Sequence, residues 1–115
     1  LIDSYDFGVI VVNGKRYTTD VIISPDRVRD GWWRKEGHRL HLEDLQEVVE
    51  AKSRPEILVV GTGYSGIMRV PDEVVKELSS RKIALLAQPT KQACRTFNEL
   101  LGSGRRVVAA FHLTC

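Results

Sequence analysis

The hydrophobic period changes partway along the chain. Residues 5–12 and 16–23 are apolar-rich extended stretches on either side of Asn13-Gly14, a dipeptide suited to the positive dihedrals of a tight hairpin turn. This pattern predicts an N-terminal β-hairpin. Phe7, Val9 and Val11 fall on one face and Ile10 and Val12 on the other, so the first strand has apolar groups for cover on both sides. Pro25 stops the second strand. Residues 27–35 read as a third, irregular strand, in which alternation sends one ring of Trp32-Trp33 inward and the other outward.

From residue 42 the spacing turns helical. Leu42, Leu45, Val48 and Val49 form a stripe, with Glu43 and Asp44 at the favourable end of the dipole. Pro55 introduces a strand at 57–60. A second helix is expected from Pro71 to about Arg81, with Val74, Val75 and Leu78 inward. A buried strand follows at 83–87. Thr90 is placed to cap a third helix carrying Ala93, Phe97, Leu100 and Leu101, which ends at Gly102-Ser103-Gly104. Residues 105–113 complete the set. Alternating strands and helices in the second half predict an α/β fold. The expectation is a single compact three-layer domain over 1–115, with a mixed β-sheet, the N-terminal hairpin as an edge or partial extra layer, and three helices.

Composition supports one core. The chain has 115 residues, 43% hydrophobic and 28% charged, within the usual size of one domain. Its longest apolar runs, 57–60 and 107–111, fall far short of the roughly 18 residues that span a bilayer. Residues 1–4 have neither the basic region nor the apolar segment of a signal peptide. No membrane association and a cytoplasmic location are the expectation. Seventeen basic against fifteen acidic residues leave a net charge of +2, too weak a balance to imply nucleic acid by itself, and nucleic acid is not the expected partner. Cys94 and Cys115 show no paired grammar and read as reduced thiols.

Several motifs invite chemistry. Gly61-Thr62-Gly63-Tyr64-Ser65-Gly66 follows a strand and matches the spacing of a dinucleotide loop. Four residues separate it from the helix at Pro71, and Gln88 stands after the next strand where a ribose-binding acid belongs. Two readings remain: a structural connection, or a small-anion site using Gly61, Gly63, Gly66 and Arg69, in which Asp72 and Glu73 compete for the helix amides. A basic stretch holds Arg27, Arg29, Arg34, Lys35 and Arg39 around Trp32-Trp33, interrupted by Asp26, Asp30 and Glu36. Trp32, Trp33, Arg34 and Lys35 are the candidate protein-contact residues; the competing readings are a solvated edge around a structural Trp and a nucleic-acid contact made by the aromatics and cations together. His112 lies three residues before Cys115, a spacing that a continuing strand turns to opposite faces. Cys94 reads as packing. No metal-ligand spacing, cofactor motif or catalytic constellation is assigned.

The residues Trp32-Trp33-Arg34-Lys35-Glu36-Gly37-His38, the Gly61-Thr62-Gly63 turn, Thr90-Lys91-Gln92-Ala93 with Phe97-Asn98, and the ending from Gly104 to Cys115 resemble a known family. It is the small-domain family that includes the mitochondrial respiratory complex I assembly factor 3, a vertebrate adipogenesis-associated protein and uncharacterised archaeal and bacterial homologues. The resemblance implies three layers of mixed sheet and helices, no settled enzymatic activity, and a part in protein assembly. The leading expectation is therefore a non-catalytic interaction or assembly domain with an unidentified protein partner. A small-ligand or anion-binding protein centred on the glycine loop, with cryptic enzyme activity as an extension, is the alternative.

Overall fold

Eight strands form two sheets in the computed structural model, which describes residues 1–115. Strands β1 (Ile2–Asp6), β2 (Val9–Val12) and β3 (Lys15–Tyr17) make an antiparallel meander. The second sheet has the order β5-β4-β8-β6-β7, from β4 (Val21–Ser24), β5 (Arg27–Asp30), β6 (Ile57–Thr62), β7 (Ala84–Gln88) and β8 (Val107–His112). It is mixed: β6 runs parallel to both β7 and β8, while β4 is antiparallel to β8 and β5.

Strict alternation along β4, β6 and β8 divides the interior in two. Val21, Ile23, Ile57, Val59, Val107, Ala109 and Phe111 face one side, where Phe97 and Ala93 of α3 (Thr90–Gly102) and Ile2, Ile10 and Val12 of the first sheet cover them. Ile22, Leu58, Val60, Val108 and Ala110 face the other, under Leu45, Val48, Val74, Leu78 and Trp32. That second layer consists of a 3-10 turn at Leu42–Leu45 running into α1 (Gln46–Val49), together with α2 (Asp72–Ser80). The compact α/β domain with mixed sheet, N-terminal strands and three helices is as the periodicity predicts.

Local details differ from the expectation. Residues 5–12 are not one strand: the chain turns at Phe7-Gly8, so β1 and β2 pair with each other, Tyr5 opposite Ile10. Asn13 and Gly14, both at positive φ (49° and 80°), make the predicted turn, but between β2 and β3. Residues 16–23 also divide, because Thr18-Thr19-Asp20 carries the chain from one sheet to the other. The third irregular strand keeps its ladder only over Arg27–Asp30. β7 is an edge strand with Ala84, Leu86 and Ala87 exposed, not a buried central one. Pro89, not Thr90, occupies the cap position of α3, and the Thr90 side chain turns inward.

Candidate functional site

At the carboxyl ends of β6 and β8 the glycine loop meets the last residues of the chain. Gly61 leaves no room for a side chain, since a Cβ there would sit 2.7 Å from Thr90 Oγ1 and 2.9 Å from Phe111. Gly63, at φ +107°, runs past the terminal backbone so closely that a Cβ would lie 2.5 Å from the Cys115 carbonyl oxygen and 2.6 Å from that of Thr114. At Gly66 a Cβ would lie 3.3 Å from the Pro89 ring. Four amides of this stretch are taken internally. Gly63 N–H donates to Thr90 Oγ1 (2.9 Å), Tyr64 N–H to the Thr114 carbonyl (2.9 Å), Gly66 N–H to Gly63 (3.2 Å) and Met68 N–H to Thr62 (3.0 Å). Thr90 Oγ1 in turn donates to the His112 carbonyl at 2.6 Å. The arrangement clasps the chain's own C-terminal segment. Arg69 is exposed, and its backbone is paired with His38 and Leu40.

Beside this clasp lies a charged cluster that the sequence pattern does not announce. Asp20 accepts three hydrogen bonds: Oδ1 from Leu113 N–H (2.8 Å), and Oδ2 from Arg34 Nη1 (2.6 Å) and His112 Nδ1 (2.8 Å). With Nδ1 of His112 donating to the carboxylate, Arg34 Nη2, 2.9 Å from the same nitrogen, directs its hydrogen to the Gly37 carbonyl at 3.1 Å. Burial alone would raise the Asp20 carboxyl, but the bonds from His112, Leu113 and Arg34 outweigh it and hold the group below its usual range. Arg34 also stacks over the Trp32 ring, 4.9 Å from its centroid. The His38 ring stands edge-on to His112 at 6.3 Å.

The Asp–His pair has the form of a general-base relay, yet His112 Nε2 is buried and meets no hydroxyl or thiol. The Cys115 sulfur makes no hydrogen bond with it. As folded, the cluster ties three segments together: the start of β4, the 31–37 loop and the end of β8.

The proposed contact patch is split by the fold. Trp33 is 76% exposed and Lys35 is also exposed. Trp32 is 4% exposed, its indole N–H donating to the Asp44 carbonyl at 2.9 Å, and the Arg34 side chain is 5% exposed. These two cannot present a surface to a partner: alternation buries Trp32, and Asp20 draws Arg34 in after it. The basic stretch disperses likewise. Arg29 pairs with Glu47, Arg34 with Asp20, Lys35 with Glu43 and Arg39 with Glu73.

Exposed aromatic groups gather instead around the clasp. Phe7 and Tyr64 meet edge-to-face at 5.6 Å, and both are about half exposed. Tyr5 packs beneath Tyr64 and donates its hydroxyl to the Leu113 carbonyl (2.7 Å); burial pushes that phenol up to about 12. Cys94 is buried in α3, and burial pushes its thiol up to about 12, whereas Cys115 is exposed. No group of three or more His, Cys, Asp or Glu side chains is arranged to hold a metal ion. Asp20 is the site residue that sequence reasoning missed, and Thr90, expected as a helix cap, instead bonds within the clasp. The one available signal was the polar triplet Thr18-Thr19-Asp20, a breaker inside an apparent strand.

Residues 2–112 match the family described as Protein of unknown function (DUF498/DUF598). The chain is 34% identical over 110 residues to the human NADH dehydrogenase [ubiquinone] 1 alpha subcomplex assembly factor 3, covering 95% of this chain and 58% of that protein. It therefore spans less than two thirds of the length of such curated relatives. Among solved structures it is similar to a conserved hypothetical protein of Pyrococcus horikoshii OT3, with a TM-score of 0.84 and 27% identity over 100% of this chain and 99% of the other. A Bordetella parapertussis protein is similar at a TM-score of 0.79 and 30% identity, covering 96% and 92% of the two chains.

Proposed function

We propose that this chain, which belongs to the DUF498/DUF598 family, is a non-catalytic protein-interaction or assembly domain. One observation carries the reading: large aromatic side chains stand in solvent on backbone that is held fast. Tyr64 is mounted on the clasped loop and braced by Phe7 and Tyr5. Trp33 projects between Trp32 and Arg34, both locked into the interior. Rigid aromatics lose little conformational freedom on binding and dominate the energetics of interfaces. The human relative, an assembly factor by name, lends support from a different direction.

The test begins with a partner isolated from native extract and then purified. Trp33→Ala and the double variant Phe7→Ser/Tyr64→Ser should melt close to wild type and lose affinity at least tenfold, about 1.4 kcal/mol. Cys115→Ser should bind normally. Unchanged affinity in every folded patch variant, or loss only with Cys115→Ser, overturns the proposal.

A further inference from the structure

At the opposite end of the sheet, beneath the amino ends of β6 and β8, lies a cleft of about 550 Å³ lined by Arg27, Arg54 and Arg106. We propose that this cleft is a binding site for a phosphate monoester with an apolar or aromatic body, separate from the aromatic surface discussed above. Eight ion pairs form in the structure, and none engages any of these three guanidinium groups. Two carboxylates also line the cleft. Glu47 is already paired with Arg29, which leaves Asp26 as the one unpaired carboxylate in the lining, while Glu56, just outside it, sits against the Arg106 backbone. Ser24 and Ser53 also line it.

The backbone carrying these groups is fixed. Arg106 N–H donates to Glu56 Oε1 at 3.0 Å, and its carbonyl accepts from Glu56 N–H at 2.9 Å. Arg27 is paired with Ser24 across the two-residue turn between β4 and β5. Arg54 directly precedes Pro55, which is buried.

Guanidinium groups match phosphate oxygens in a bidentate fork, so three arginines lining one cleft favour a dianionic phosphate over a single carboxylate. The deeper wall is apolar, formed by Ile22, Val48 and Val108. The volume lies in the range of small-molecule sites, though the lining is more polar than is usual for them. These features specify a ligand with a charged head at the arginines and an apolar body against the sheet.

Calorimetric titration with phenyl phosphate and with inorganic phosphate separates the two halves of the claim. Phenyl phosphate should bind one-to-one and at least tenfold more tightly than inorganic phosphate. Arg106→Gln and, independently, Arg54→Gln should each weaken it at least tenfold, while Arg95→Gln, an exposed arginine on α3 outside the cleft, should leave it unchanged. Two variants guard against misfolding in either one, and melting curves identify a folded protein. Binding weaker than about 10 mM, equal affinity for the two phosphates, or equal loss with Arg95→Gln overturns the proposal. Each of these readouts is independent of protein-partner binding.

Discussion

Asp20 carries more of the structure than its neighbours in sequence suggest, because its three donors come from residues 34, 112 and 113. Its carboxyl is held below the ordinary value of 3.8 in the folded protein. The resulting stabilisation is present above that ordinary value and is lost as pH falls through the folded one. Wild-type unfolding free energy should therefore drop below about pH 4. Asp20→Asn should be less stable at neutral pH by about 3 kcal/mol, since it leaves Arg34 buried without its counter-charge. The variant should also show a shallower acid slope. Urea unfolding at a series of pH values checks both, and parallel slopes would remove Asp20 from the account. Nothing local in the sequence reveals this role: an Asp after two threonines reads as a turn, and its partners lie 14 and 92 residues away. Trp32 and Trp33 were legible as an inward and outward pair, whereas the burial of Arg34 depends on that same distant carboxylate.

Elements were legible in proportion to their length. β6, β8 and α3 have enough residues to display a period, and the alternating core faces of β6 and β8 follow from it directly. β1 through β3 do not, since strands of three to five residues offer too few alternations to show where one stops. The apolar run of β7 is the same for a central strand as for an edge, so its place in the sheet was hidden. The glycine loop was visible as a motif, but its occupant, the chain's own C-terminal backbone, was not. Gly63→Ala tests that occupant. With a positive φ and no space for a methyl group, it should destabilise by about 1–3 kcal/mol. Exchange of the Tyr64 amide, which donates to Thr114, should accelerate, whereas the exposed Ser65→Ala should leave both measurements alone. Unchanged protection at Tyr64 would contradict the clasp.

At the scale of the molecule, the first sheet is attached to α3 by a side chain that imitates a strand. Asn98 Oδ1 accepts from Ile2 N–H and Asn98 Nδ2 donates to the Ile2 carbonyl, both at 2.8 Å. Asn98→Ala should cost about 1–2 kcal/mol for the two lost bonds. Amide exchange at Ile10 and Val12 should rise more than at Val59 and Ala109, because the meander opens as a unit before the central sheet does. A uniform rise would show that the two sheets unfold together. The exposed rim of β7 bears on a different property, the behaviour of many copies at high concentration. Its outer row of N–H and C=O groups has no neighbouring strand, and Ala84-Leu85-Leu86-Ala87 carries no charge to repel a second copy. Lys82, two residues before the strand, and Pro89, directly after it, flank the ladder and limit the template to five residues. The two groups that oppose edge-to-edge pairing thus stand just outside the strand rather than in it.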